Sequence, residues 1–203
     1  MAGCGCENDC NLEILKNRQK STLVKVLLIN AVMFIVIVIA ALQARSISLF
    51  SDSLDNLGDA ITYGLSLFVV SKSIQSKAYV ALFKGVLILI GAILVVCQIF
   101  EKLSNPIVPT YEIMGIFGFL GILTNGICLW LLWHHRDEDI NMSSVYECSR
   151  NDIASNLSVI FAAFLVWYFN SIWPDILIAA LLSILLFKSS YKIISEAAIK
   201  LYS

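Results

Sequence analysis

Charge is scarce in this chain, and that scarcity excludes most soluble folds. Only 14% of the 203 residues are Asp, Glu, Lys or Arg, while 59% are hydrophobic. Mean hydropathy is +0.82. A water-soluble domain of this size needs a largely polar exterior. A basic surplus is missing too: the formal net charge is -1, which leaves no field to attract nucleic acid. Polar and apolar residues do not alternate along the apolar runs, which speaks against a membrane β-barrel. No nucleophile triad, phosphate-binding glycine loop or haem motif occurs. No break in composition marks a second soluble domain.

What remains is an all-α membrane protein. A membrane-crossing helix needs roughly 20 mainly apolar residues, and six stretches qualify: 23–43, 47–71, 79–100, 111–133, 143–170 and 173–194. Glu7, Asp9 and Glu13 stand before the first stretch among its lysines, unlike the short basic start of a signal peptide, so this stretch is read as a retained span. Residues 1–20 then form a cytosolic cysteine-containing tail, and 21–203 a six-span transmembrane domain. Lys16, Arg18, Lys20 and Lys25 precede span one. Lys72, Lys77 and Lys84 follow span two, Arg136 follows span four, and Lys188, Lys192 and Lys200 lie at the end of span six. The opposite side has only Arg45 and Lys102. By the positive-inside rule both termini are expected in the cytoplasm, with the protein in the cell (inner) membrane.

Span two opens SDSLDNLGDA and places Asp52, Asp55 and Asp59 within ten residues. Acids inside a bilayer are costly and turn towards the protein interior, where they serve function. Ser48, Asp52, Asp55, Asp59, Thr62 and Ser66 follow spacings of three and four, one side of a helix. The alternative, a solvated loop, fits that periodicity poorly and would normally bring lysine or arginine with it. Span five begins VYECSRNDIASNLSVI, where Cys148 and Asp152 are again one turn apart, with Ser155 continuing their face. Facing each other, the two helices offer four donors, Asp55, Asp59, Cys148 and Asp152, the number a tetrahedral ion such as zinc takes. Cys148 by itself is more simply a small buried filler; its pairing with Asp152 opposite two further acids argues for ligation. Carboxylates with one thiolate suit zinc or cadmium, cargo rather than a permanent cofactor.

Several side features carry less. Cys4, Cys6 and Cys10 beside Glu7 and Asp9 form a soft-metal capture tail or an incidental disordered segment. His134, His135, Asp137, Glu138 and Asp139 read as a solvated turn before a cation-gathering mouth. Asn125 lines the interior or bonds a neighbouring helix. Asp175, after Pro174, fits a helix start. Trp130, Trp133, Trp167 and Trp173 fall near span ends, as interfacial anchors do. Cys97 and Cys128 look like filler.

The segments SLFSDSLDNLGDAITYGLSLF and WPDILIAALLSILLFKSSYKIISEAAIKL, with the fifth span, resemble the cation diffusion facilitator family from Lys20 to Leu201. The family's second span carries an acid or histidine, three residues and an aspartate, matched here by Asp55 and Asp59. Its fifth span carries histidine, three residues and aspartate. With Asp152 as the anchor, Cys148 occupies the histidine position. Asp52 matches a further aspartate of the second-span signature. The resemblance implies a cation-efflux-type bundle of six transmembrane helices that exports divalent metal in exchange for protons, often as a homodimer. Two departures are expected to matter: cysteine in place of histidine, and no cytosolic metal-binding domain after span six. The alternative is a membrane metal sensor or accessory subunit with the same fold. A metalloenzyme is disfavoured because no separate acid-base group accompanies the ligands.

Overall fold

A computed structural model describes the backbone of residues 5–69, 74–136 and 140–202, with the side chains of most of these from residue 18 onward. Six helices make up the described residues: α1 (Gly5–Ala44), α2 (Ile47–Val69), α3 (Ile74–Ser104), α4 (Tyr111–Trp133), α5 (Ile140–Phe169) and α6 (Trp173–Tyr202). The chain is an all-α bundle. Three of the expected starts, at 47, 111 and 173, coincide with helix starts. The largest departure is at the front, where α1 runs for 40 residues. At 1.5 Å per residue that is about 60 Å, twice the thickness of a hydrocarbon core. Apolar periodicity marks where a helix enters lipid, not where it stops in water. The apolar part of α1 is Arg18–Ala44.

The bundle is oily on its outside. Along α1, Leu28, Val32, Ile35, Ile39 and Leu42 are exposed, while Val26, Asn30, Met33, Ile37 and Ala41 are buried. Both sets recur every three or four residues, so one helix face meets lipid and the other the core. Trp130, Trp133, Trp167 and Trp173 are all exposed near helix ends. Five helices are long and apolar enough to cross a membrane: all but α2. The exception carries Asp52, Asp55 and Asp59, and its neighbours account for their tolerance. It packs against α1, α3, α5 and α6, and Ser48, Asp52 and Asp59 of its polar stripe are buried among them.

Close approaches between helices occur where glycine omits a side chain. A Cβ at Gly121 of α4 would lie 1.7 Å from the amide oxygen of Asn156 on α5. At Gly85 of α3 it would lie 2.6 Å from Ile194 of α6, and beside it the Ser190 hydroxyl donates to the Gly85 carbonyl at 2.8 Å. Small residues at such crossings are the usual means of joining helices in lipid.

The short connections α1–α2, α3–α4 and α5–α6 gather at one end of the bundle. Arg45 adopts a left-handed backbone with φ 53°, and the Ser46 and Arg45 amides return to the carbonyls of Ala41 and Leu42 at 3.1 and 3.3 Å. This is the hydrogen-bond pattern of a Schellman stop. Ser46 then caps α2, its hydroxyl accepting from the Leu49 amide at 3.1 Å. Asn170, with φ 46°, ends α5 in the same backbone region.

At this end Asp175 is fully buried and saturated. Its Oδ1 accepts from the Ser46 hydroxyl at 2.7 Å, the Ser48 amide at 3.0 Å and the Ser48 hydroxyl at 2.6 Å. Its Oδ2 accepts from the Ile47 amide at 2.9 Å and the Lys102 ammonium at 2.7 Å. Lys102 also donates to the Arg45 carbonyl at 2.6 Å. The acid at the start of α6 thus neutralises the bare amides and positive dipole end of α2, in addition to sitting at its own helix start.

Candidate metal centre

The carboxylates of α2 and α5 meet at a cavity of about 440 Å³ bounded by α2, α3, α5 and α6. Asp55, Asp59 and Asp152 line it, with Ser155, Ser158 and Ser189 as further polar groups. The opposite wall is mainly leucine from α6, with Ser189 at its end, and Ile88 from α3. One side of the chamber is therefore oxygen-rich and the other is largely hydrocarbon, which suits brief residence of a cation better than a closed cage. Asp55 faces Ser155 across the α2–α5 contact on the cavity wall. Asp59 accepts at Oδ2 from the hydroxyl of Tyr63, one turn along α2. Asp152 is held at backbone level, its carbonyl accepting from the Asn156 side-chain amide at 2.9 Å.

The antiparallel register of α2 and α5 follows from two contacts. Asp55 meets Ser155, and Leu49 shares a core cluster with Val159. Asp52 lies between those levels. It does not line the cavity. It is fully buried, and neither carboxylate oxygen has a hydrogen-bond partner. Asn56 repeats on α2 the arrangement of Asn156 on α5, donating to the Asp52 carbonyl at 3.2 Å.

Of the residues expected at the site, Asp55, Asp59 and Asp152 thus share one chamber, while the fourth falls on α5 but outside the described side chains: Cys148. Cys4 lies outside the described residues, and the side chains of Cys6 and Cys10 on α1 do too. Among the described residues, no three His, Cys, Asp or Glu side chains group closely enough to hold a metal ion. The aspartates surround a volume rather than a point. Asn125 is buried against α5, with its carbonyl accepting from the Ser149 hydroxyl at 3.4 Å, and it does not line the cavity. At the α4 end, His134 is exposed, and the Arg136 guanidinium lies 3.9 Å from the centre of the Trp133 ring.

Two features escaped the sequence reading. The stripe on span two was continued to Thr62, which is bonded to the Gly58 carbonyl of its own helix at 2.7 Å. Among the residues that reach Asp59 is Tyr63, at the same one-turn spacing that joins Asp55 to Asp59. Cys128 packs as filler in the apolar cluster of Leu23, Val26, Tyr63 and Leu132, and it also meets a polar group. It is fully buried and takes a contact from the Asn30 amide at 3.7 Å. Nothing in its local sequence signals this, because Asn30 is 98 residues away.

Comparison with known proteins agrees with this architecture. The cation efflux transmembrane domain matches residues 23–201. A cadmium, cobalt and zinc/H(+)-K(+) antiporter of Bacillus subtilis (strain 168) is 23% identical over 191 residues, 85% of this chain and 61% of that protein. The protein of the same name from Bacillus velezensis is 22% identical over 192 residues, with the same two shares. The metal cation efflux system protein CzcD of Cupriavidus metallidurans is 22% identical over 180 residues, 78% of this chain and 56% of its own length. The chain therefore spans about three-fifths of the curated relatives it matches.

Proposed function

Since this chain belongs to the cation efflux family, whose transmembrane domain accounts for residues 23–201, we propose that it exports divalent heavy-metal cations from the cytosol in exchange for protons. The family is one of membrane transporters, not enzymes. The observation that carries the proposal is the placement of Asp55, Asp59 and Asp152, from two helices, on the wall of one chamber inside the bundle. Cys148, one turn before Asp152 on α5, completes the ligand set. Carboxylates favour harder ions and thiolate softer ones, and zinc and cadmium satisfy both. The relatives' names, which specify cadmium, cobalt and zinc, point the same way.

The exchange follows from acid-base chemistry at the ligands. A carboxylate or thiol that binds metal must first lose its proton. Metal arriving from the cytosol therefore displaces protons, and protons arriving from the far side displace metal. Coupled to alternate opening of the chamber towards the two faces, this competition is antiport. Apart from Ser189, the α6 and α3 wall is hydrocarbon, so most of the donors lie on the acidic side. Both termini are cytoplasmic in this reading, residues 1–20 form a tail in which Cys4, Cys6 and Cys10 capture soft metal, Asp52 stands beside the route, and the working unit is a homodimer.

The test is zinc uptake into inside-out vesicles under an imposed proton gradient. Uptake should disappear with Asp55→Ala or Asp59→Ala while the protein remains folded and membrane-inserted. Wild-type uptake in either variant would remove the proposed site. A metal-resistance assay in an exporter-deficient host, with Cys148→His alongside, reads the fourth ligand: a changed ranking of metals places residue 148 at the ion. Metal binding without transport would identify a sensor or accessory subunit.

A further inference from the structure

The chamber has an apolar stopper on the side where the three short connections gather. Ile47 of α2, Val95 of α3 and Ala179 of α6 are buried together, with Phe50, Leu54 and Ile99 packed against them. Leu54 also lines the chamber, so hydrocarbon begins at the chamber's edge. At the stopper's other end Ile47 gives its amide to Asp175 at 2.9 Å, and Ala179 follows Asp175 by one turn. A cation leaving this way meets side chains that offer it no ligand.

Beyond the stopper, the bonds around Asp175 tie the chamber's walls together. Asp175 belongs to α6. It holds the start of α2 through the Ile47 and Ser48 amides and the Ser46 and Ser48 hydroxyls. It holds the end of α3 through the Lys102 ammonium. The fourth wall, α5, is joined to α6 covalently by the short turn of residues 170–172. A mouth that opens here between α2 and the α5–α6 hairpin breaks the bonds from α2 to Asp175. One that opens between α3 and α6 breaks the bond from Lys102.

We propose that Asp175, with the stopper beneath it, is the outer gate of the exporter: its bonds to α2 and Lys102 keep this end closed and are released once per cycle for the ion to leave. This rests on the export reading, in which this end faces away from the cytosol. The gate is graded, because Asp175 has several donors that can be removed singly. Loss of one hydrogen bond shifts an equilibrium by about fivefold, and a closed state weakened by that factor makes the open one correspondingly more populated.

The experiment reads entry to the chamber from each face, using the full chain in membrane vesicles of either orientation. Ser158→Cys places a thiol on the chamber wall, at a residue whose hydroxyl bonds carbonyls of its own helix. A membrane-impermeant thiol reagent is applied, and the rate in the chain without Ser158→Cys is subtracted. Adding Ser48→Ala should raise labelling from the face of the short connections by about fivefold, and Lys102→Met should raise it further. Labelling from the opposite face should not rise. Ser190→Ala removes the bond to the Gly85 carbonyl in the other half of α6 and controls for general loosening; it should leave the labelling rate unchanged. Unchanged labelling with both cluster variants, or an equal rise with Ser190→Ala, overturns the gate. If one cluster variant fails to fold, the other decides. Zinc uptake by Asp59→Ala tests the reading beneath it. Normal uptake with raised labelling in the cluster variants leaves a gate without the proposed metal site. Abolished uptake with unraised labelling leaves the metal site without this gate.

Discussion

Asp175 and Asp52 are both fully buried aspartates, yet they live in opposite circumstances. Asp175 accepts five hydrogen bonds, one of them from the buried ammonium of Lys102. Asp52 has both oxygens without a hydrogen-bond partner, and the next carboxylate along its helix face is another acid, Asp55. A burial cost offset on the spot marks a structural acid. One left without compensation marks an acid kept for something that comes and goes. The hairpin end of the bundle compensates its buried charge on the spot; the middle of α2 does not.

The contrast is breakable by mutation, and the largest effect belongs at the saturated end. Asp175→Ala leaves the Lys102 ammonium buried without its counter-charge and strips the donors at the start of α2. We expect a loss of about 3–5 kcal/mol, read as a lowered unfolding midpoint in detergent and poor recovery from membranes. A midpoint like that of wild type would mean that the cluster holds nothing together. Lys102→Met should cost less, about 1–3 kcal/mol, since Asp175 retains four of its five donors; a loss as large as that of Asp175→Ala would make the ion pair the dominant element.

Gly121→Ala tests the chamber level through its packing. The new methyl displaces the Asn156 side chain and with it the 2.9 Å bond to the Asp152 carbonyl. Overpacking of this kind costs about 1–3 kcal/mol, and metal uptake should fall further than stability does, because α5 carries Asp152. Equal stability and uptake would show that α4 and α5 need no close approach here. The smallest stability effect should come from Asp52→Asn. With no hydrogen bond to lose, the neutral amide should leave the unfolding midpoint unchanged or raise it by less than about 1 kcal/mol. A drop as large as that of Asp175→Ala would erase the distinction between the two acids.

Much of this was legible along the chain. The spans were readable because lipid imposes length and apolarity together, and the face of α2 was readable because Asp55 and Asp59 recur at helical spacing. The pairing of α2 with α5 followed from their shared polarity. What could not be read involves partners far apart in sequence. Asp175 looked like an acid for its own helix start, whereas it also serves α2, 127 and more residues earlier. Tyr63 was a near miss, hidden because an aromatic residue on an apolar helix resembles filler until its hydroxyl is placed. The largely hydrocarbon wall from α3 and α6, with Ser189 as its polar group, carries no pattern that distinguishes it from ordinary span residues.

The cluster around Asp175 also constrains how the chain is assembled. Lys102 and the start of α2 leave the ribosome long before residue 175 of 203. Until the sixth helix is inserted, an ammonium and a row of amides have no counterpart at the end of the bundle. A nascent chain interrupted after α5 would carry that defect openly. The sixth helix thus closes the cluster, and a chain truncated before it would leave these groups at the bundle end uncompensated.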